Sequence, residues 1–370
     1  MKILLKSRTD LLRKPGGDTT QILKTSEYLK KLGISLDIST KLEEDLKNYD
    51  LVHLFNITRP QETYLQYLDA KKQSKPVILT PIYQNFDEWD EKGRYGAQKY
   101  FMRIAKNKNS KEITKTFLRN FFDNKQWKPF VNQLKIGFTQ QQKEILNSVN
   151  LLLPNSEMEM RKMEEDFGIK NSYQVVPNGV EMDFSDAKPD VFVNKYQLEN
   201  FVLCVANFAS IKNHLNLIKA LESTELTLVL IGKPQKNHRR YFQLIKKVAA
   251  KNNKILLLEN VEKEGLKSAY AAAKVHVLAS WFETCGLASL EAGLAGCNVV
   301  STDRGYAKEY LKDMAWYCNP ADTNSIREAV LKAYNDPRSG KLKNYILEHF
   351  SWEKTAKNTK EAYYKVINNE

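Results

Sequence analysis

Hydrophobic positions in the first 80 residues fall into short β-rich runs separated by amphipathic stretches. Residues 3–5, 34–38, 51–55 and 77–79 read as strands, while 19–32 and 61–72 carry helical spacing. Pro60 stands where the first turn of a helix tolerates a missing amide. Strand and helix in alternation predict a parallel, doubly wound sheet. Over 85–149 the strand pattern stops, and Ile113, Phe117 and Phe121 recur at helical spacing within 103–122, which predicts a helical insertion. The alternation resumes with strands at 151–153 and 173–176 around a helix at 157–167, capped by Ser156 or Asn155.

Residues 177–197 are polar, carry Pro177, Gly179 and Pro189, and mark a domain boundary. A second alternating series follows, with strands at 201–205, 226–231, 255–258, 275–278, 299–301 and 315–317. A final helix, 352–366, has no strand after it and is free to pack on either half. The expected fold class is α/β, with two Rossmann-like doubly wound parallel-sheet domains at 1–180 and 181–350 and the insertion, about 85–149, in the first. A length of 370 residues at 42% hydrophobic and 27% charged composition suits two such cores.

Four cysteines, Cys204, Cys285, Cys297 and Cys318, match neither a zinc spacing nor a disulfide framework and read as reduced core thiols of a cytoplasmic protein. The apolar start, residues 1–6, is too short for a signal-peptide core, and no uncharged run approaches the roughly 20 residues that span a bilayer. The net charge of +13 is concentrated. Thirteen Lys or Arg lie between Lys92 and Lys143 against only Glu112 and Asp123.

The chemistry concentrates in 281–296, WFETCGLASLEAGLAG, which follows a strand and opens a helix. Free amides at such a helix start, around Gly286 and Leu287, form an anion site for a diphosphate, and the adjoining Cys285 belongs to the same turn. Taken as helix, the eight residues from Glu283 to Glu291 rise ~12 Å and set the two carboxylates about a quarter turn apart, able to grip different hydroxyls of one elongated ligand. Paired hydrolytic carboxylates sit closer, about 5 to 9.5 Å apart. The plain alternative is a helix-capping Glu283 and a solvated Glu291.

Glu283 through Glu291 resembles the Glu, seven residues, Glu signature of the retaining family-four, or group 1, glycosyltransferases of GT-B fold. Val176-Pro177-Asn178-Gly179-Val180 looks like that family's interdomain motif, and Val205 to Phe208 with Lys212-Asn213 resembles its first C-domain strand and turn. Gly305 and Glu309, and Phe350-Ser351-Trp352-Glu353 at the start of the last helix, also fall in family positions. The resemblance covers most of 150–370 and, more weakly, the N-terminal region.

The resemblance implies two domains facing across a cleft, with 351–370 returning to the first. It implies transfer of a hexose, with retention, from a nucleotide-diphospho-sugar to a saccharide or lipid-linked saccharide acceptor in surface polysaccharide biosynthesis. A UDP-sugar is expected in preference to a GDP-sugar, as co-substrate, with no cofactor and no metal. Lys212 is expected on the diphosphate, where a fixed cation stabilises leaving-group charge. Gly16 and Gly17, in the loop after the first strand, are expected to face the donor phosphates. His53 is the candidate for a histidine near the reacting sugar, with 81–84 as a rival loop.

One departure stands out. Asn207 occupies the position where the family commonly has an arginine, and Lys233 is the candidate substitute. A GT-B epimerase or hydrolase, or a family member that binds nucleotide or glycan without turnover, are the competing functions.

Within 92–143 the cations alternate with Tyr95, Tyr100, Phe101, Phe117, Phe121, Phe122, Trp127, Phe130 and Phe138. Cationic helices with aromatic anchors suit an anionic membrane surface, so a peripheral position on the inner membrane face is expected. The same residues also suit plain packing onto the first domain. Nucleic acid is not an expected partner, because no recognised binding motif accompanies the charge.

Overall fold

The computed structural model describes residues 1–95, 108–120 and 127–368. The chain divides into two compact units: residues 1–83, 101–179 and 352–370 form the first, and 84–100 with 180–351 form the second.

In the first unit, β1 (Lys2–Lys6), β2 (Ser35–Ser39), β3 (Leu51–Phe55), β4 (Val77–Thr80) and β5 (Leu151–Leu152) make a parallel sheet in the order β2-β1-β3-β4-β5. Alternate residues feed opposite layers, as the period of two in a strand requires. Ile3 and Leu5 pack with Ile22 and Leu29 of α1 (Gly17–Lys31) and with Tyr363 of the terminal helix, Trp352–Ile367. Leu4, Val52 and Leu54 face the other way, onto α2 (Pro60–Lys72) and the helices that follow. Apolar residues on both faces are the mark of a parallel sheet covered by helices. The terminal helix lies against α1 and belongs to this unit.

The insertion supplies α3 (Lys108–Asn120), α4 (Trp127–Ile136) and α5 (Phe138–Ser148), with Gly137 at φ 93° separating the last two. Helix is therefore seen over the middle of the 103–122 stretch. Tyr100, Phe101, Phe121 and Phe122 lie outside the described residues. α6 (Glu157–Phe167) is capped by Ser156, whose hydroxyl accepts the Glu159 N–H at 3.0 Å; Asn155 instead gives its own N–H to the Glu159 carboxylate at 2.6 Å.

Two expectations fail in this unit. The strand at 173–176 is reduced to a bridge between Tyr173 and Leu152, because Pro154 has no N–H to return the next ladder bond, although the Val176 N–H still donates to the Pro154 carbonyl at 2.9 Å. Residues 84–95, placed in the first domain by the sequence pattern, group with the second. Contacts override chain order here: the Phe86 ring meets Phe282 at 6.4 Å, Glu88 pairs with Arg304 at 2.6 Å, and the π-turn Trp89–Gly93 presses on Trp281 so closely that a β-carbon on Gly93 would lie 2.5 Å from the indole.

In the second unit, β6 (Val202–Val205), β7 (Leu228–Gly232), β8 (Ile255–Glu259), β9 (Val275–Leu278), β10 (Asn298–Thr302) and β11 (Trp316–Cys318) run parallel in the order β11-β10-β9-β6-β7-β8. The helices are α7 (Asp190–Tyr196), α8 (His214–Leu221), α9 (Arg239–Ala249), α10 (Lys263–Ala272), α11 (Leu287–Leu294), α12 (Ala307–Leu311), α13 (Thr323–Asn335) and α14 (Lys341–His349). Val202 and Cys204 face Leu217 of α8 and Ile326 of α13, while Leu203 faces Tyr270 of α10 and Leu290 of α11. Strand order runs outward from β6 in one direction and from β9 in the other. In open α/β sheets such a reversal leaves a crevice beyond the strands' C-terminal ends, where ligands bind.

Both units are thus Rossmann-like parallel sheets layered by helices. No helix among the described residues is long and apolar enough to cross a membrane.

Candidate nucleotide-sugar site

Because β6 and β9 are neighbours in the sheet, the loops leaving their C-terminal ends meet. The Trp281 backbone N–H donates to the Ile211 carbonyl at 2.8 Å. Asn213, left-handed at φ 59°, sends its side-chain amide to the carbonyls of Ala279 at 2.9 Å and Pro320 at 2.8 Å. Sewn together this way, the two loops hold Lys212 Nζ 2.5 Å from Glu283 Oε1. The carboxylate is buried, whereas the lysine side chain keeps 27% exposure. The lysine side chain is therefore only partly enclosed by the fold.

Glu283 is fixed through its backbone as well. Its N–H donates to the Arg304 carbonyl at 3.3 Å, and its carbonyl accepts the Tyr306 N–H at 2.8 Å. Gly305 sits between these bonds at φ 90°, and a β-carbon there would lie 2.0 Å from the Glu283 oxygen, so only glycine fits.

The helical placement of Glu283 needs correction. α11 begins at Leu287, with Gly286 as its N-cap in the left-handed region at φ 67°, and 283–286 are loop. Glycine there turns the chain sharply enough to leave Glu283 pinned on the Gly305 side. The quarter-turn geometry drawn for two acids on one helix does not apply. The first-turn amides of Leu287 and Ala288 have no partner within the helix, while those of Ser289 and Leu290 bond to the Gly286 carbonyl at 2.7 and 3.1 Å. The Cys285 side chain is buried in the core, so only its backbone belongs to the turn.

Glu291 occupies a separate setting. Tyr270 donates its hydroxyl to Glu291 Oε2 at 2.9 Å. Burial pushes the Glu291 carboxyl up to about 7, against the Tyr270 hydrogen bond and the positive charge of Lys263; Asp183 and Glu181 add to the rise. Lys263 itself pairs with Asp183 at 2.7 Å.

Asn207 and Lys233 are adjacent through the backbone. The Phe208 N–H donates to the Lys233 carbonyl at 3.0 Å, and a β-carbon on Gly232 would lie 1.9 Å from the Ala206 oxygen, so the end of β7 is pressed against 206–207. Lys233 is exposed and Asn207 half-buried. A further cation, unmarked by any motif, comes from 84–95. Arg94 stacks on the Trp89 ring at 3.9 Å and pairs with Asp90 at 2.6 Å. Its charge adds to burial in lowering the pKa of His238, whose Nδ1 lies 3.5 Å from the Ser210 amide beside Lys212.

In the first unit, Gly16 caps α1 and Gly17 opens it, with clear space where a Gly17 β-carbon would stand. Around this loop lies a charged network absent from the sequence candidates. Arg8 pairs with Asp18 at 2.6 Å and Asp10 at 2.7 Å and donates to the Lys14 carbonyl at 2.7 Å; Arg59 pairs with Asp10 at 2.7 Å. Asn56, at φ 76°, donates to Asp18 at 3.2 Å. Burial would raise both carboxyls, but Arg59 and Arg8 prevail at Asp10 and Arg8 prevails at Asp18, so both titrate below the ordinary range.

His53 is withdrawn as a catalytic candidate. It is buried at 1% exposure, with Nδ1 2.8 Å from the Tyr363 hydroxyl and Nε2 2.8 Å from the Thr80 hydroxyl. Burial pulls its pKa down to about 3, so the ring is a neutral core link between β3, β4 and the terminal helix. The alternation that gives Leu51 and Phe55 to the terminal-helix layer gives His53 to it too.

Residues 188–349 match the family described as Glycosyl transferases group 1. A glycogen synthase of Fusobacterium nucleatum subsp. nucleatum is 30% identical over 111 residues, covering 26% of this chain and 24% of its own. The match thus spans about a quarter of that relative's length. Sucrose-phosphate synthase of Thermosynechococcus elongatus superposes with a TM-score of 0.76 at 16% identity over 100% of both chains. Anabaena HepE, solved in complex with UDP-glucose, superposes with a TM-score of 0.69 at 14% identity over 98% of this chain and 99% of that one. At these identities the structural likeness speaks for the fold. The protein carries a domain of the glycosyl transferases group 1 family in a chain of the two-domain GT-B fold.

Proposed function

We propose that the protein is a retaining hexosyltransferase that takes its sugar from a nucleotide-diphospho-sugar and passes it to a saccharide or lipid-linked saccharide acceptor in surface polysaccharide assembly. The observation that carries this reading is the Lys212–Glu283 pair, with Glu283 four residues ahead of Leu287, whose amide and that of Ala288 have no partner within α11, where strand order reverses. A diphosphate placed there meets an ammonium and a helix N-terminus, both of which stabilise the charge that grows on the phosphate as the glycosidic bond breaks. Glu283, already balanced by Lys212, accepts hydrogen bonds from sugar hydroxyls, and Glu291 accepts them from the ribose. A UDP-sugar is the proposed donor, in line with the UDP-glucose held by the HepE structure. The first unit is left to contact the acceptor. Four free, buried cysteines fit work in the cytoplasm.

The test is incubation with a panel of UDP-hexoses and oligosaccharide acceptors, followed by NMR of the product. Transfer with the donor's anomeric configuration kept is expected. Inverted product, or sugar lost to water equally with and without acceptor, sinks the reading. A second reading, binding without turnover, is favoured by Asn207 standing in place of a phosphate-facing arginine. Calorimetric UDP binding with no sugar released from any donor would establish it instead.

A further inference from the structure

One helix of the insertion, α4, buries Pro129 and Phe130 but turns other large apolar residues outward. On α4, Trp127, Val131 and Leu134 are 51%, 46% and 52% exposed, and their spacing of four and three places them on one face. Lys128 and Lys135, also exposed, flank that face. Gln133 points inward instead, fully buried, and its amide reaches no hydrogen-bond partner among the described residues. Buried glutamines continue on the neighbouring helices, with Gln61 on α2 and Gln141 and Gln142 on α5. Phe117 of α3, 41% exposed, packs on Phe130 at 5.7 Å, and Trp127 meets the same ring edge-on at 5.9 Å, which extends the outward patch by one aromatic.

A helix that faces only water turns such residues the other way, because burying an unpaired amide and exposing a contiguous apolar face both cost free energy. The inverted arrangement is stable where the outer face meets another apolar medium. The surrounding charge says which one. Among the described side chains of α3 and α4, Lys111, Lys115, Lys128 and Lys135 stand against Glu112, and Lys128, paired at the surface with Glu43 at 2.5 Å, can exchange that partner for a phosphate.

We propose that the outward face of α4, together with Phe117, docks onto an anionic lipid bilayer. Trp127, Val131 and Leu134 enter the headgroup boundary while Lys128 and Lys135 meet lipid phosphates. A second copy of the chain is a poorer occupant, since face-to-face pairing sets Lys128 and Lys135 against their own copies. Nucleic acid is poorer as well, because Val131 and Leu134 offer bases nothing to stack on. The proposal does not rest on the donor chemistry, and its test reads binding without any sugar nucleotide.

The test is co-sedimentation of the whole protein with vesicles of phosphatidylcholine, alone or mixed with phosphatidylglycerol. The wild type is expected to prefer the mixed vesicles by about tenfold or more, and Lys128→Ala and Lys135→Ala each to lose about fivefold. Leu134→Glu is expected to lose more than about tenfold, since it places a charge in the boundary layer. Trp127→Glu removes the contact with Phe130 and can disturb folding, so Leu134→Glu is the deciding variant, with thermal unfolding as its control. Equal recovery on neutral and mixed vesicles overturns the proposal. So does a folded Leu134→Glu variant that binds like the wild type, or a wild-type dimer split by Leu134→Glu with vesicle binding unaltered.

Discussion

Each unit keeps charged side chains just past the C-terminal end of its first strand, and the two sets are arranged in opposite ways. Beyond β1, Arg8 has two carboxylate partners and a carbonyl, Asp10 has two arginines, and Asp18 has Arg8 and Asn56. That network is closed. Beyond β6, Lys212 has one carboxylate partner among the described residues and stays partly open, while Glu291, on α11 after β9, sits in a desolvated place that holds its proton to about neutral pH. A closed network has its electrostatic needs met within the fold, so it supports a loop; an open one retains affinity for a ligand. Under the proposed function the contrast gives framework duty to the arginines near Gly16 and contact with the donor diphosphate to the lysine near Gly286.

The largest expected effect breaks the closed side. Arg8→Ala leaves Asp18 with hydrogen bonds from Asn56 and the Thr19 N–H but no cation, and Asp10 with Arg59 and the more exposed Lys14, and removing one partner of a buried pair costs about 3–5 kcal/mol. Chemical denaturation should show an early loss of the first unit, with UDP affinity changed less than about twofold in the folded protein, the scale expected where two sites share no partner. If affinity instead collapsed while the protein stayed folded, the two sides would not be separate in function. Next comes Lys212→Ala, expected to lower turnover by about 10²–10³, the scale for losing one preorganised charge at a developing anion, with a smaller change in UDP affinity. Equal turnover in mutant and wild type places the chemistry elsewhere.

Glu291→Gln sharpens the contrast through pH. The Glu291 carboxyl is raised from an ordinary 4.5 to about 7, so the folded state holds a proton that the unfolded state releases earlier. Its contribution to stability therefore declines as pH rises from 4.5 through 7 and is flat above. Glutamine removes that slope, and above pH 8 the variant should be the more stable protein by up to about 3 kcal/mol, since each tenfold difference in acidity between the folded and unfolded carboxyl corresponds to about 1.36 kcal/mol. Nucleotide binding should move the other way. In the wild type, affinity rises from pH 6 to pH 8 as the carboxylate forms and accepts ribose hydroxyls, and in the variant it is weaker and flat. Calorimetry at the two pH values decides, and a wild-type affinity independent of pH removes Glu291 from the nucleotide.

What was legible in the sequence followed from periodicity and from local chemistry. β3 and β9 were readable because a parallel strand buried on both faces is a run of apolar residues with few exceptions. The start of α6 was readable from its polar capping candidates, Ser156 or Asn155, and the structure chooses Ser156. The turn at Gly286 was readable as a helix start, but its left-handed φ was not, and that hid the loop position of Glu283. His53 misled because a histidine in an apolar strand looks the same in sequence whether its partners are a sugar or Tyr363, which lies 310 residues away. The Arg8 network and the attachment of 84–95 through Phe86, Glu88 and Gly93 rest on contacts between distant segments, and no local pattern encodes them.

The smallest expected effect concerns Asn207. Lys233 is brought beside it by the Phe208 N–H bond and by the approach of Gly232 to Ala206, and it is exposed, so any help it gives a phosphate passes through water. At a few ångströms in high dielectric, one charge is worth about 1 kcal/mol and is screened within about 8–10 Å at physiological salt. Lys233→Ala should then raise KM for the donor by about two- to fivefold with kcat unchanged, and the difference should shrink as salt is added. Asn207→Arg should restore the loss in the Lys233→Ala background, because both cations would serve the same anion from adjacent backbone. A loss that resists both salt and the added arginine means that Lys233 does not face the phosphates. The open side of the comparison would then depend on Lys212 and the helix start alone.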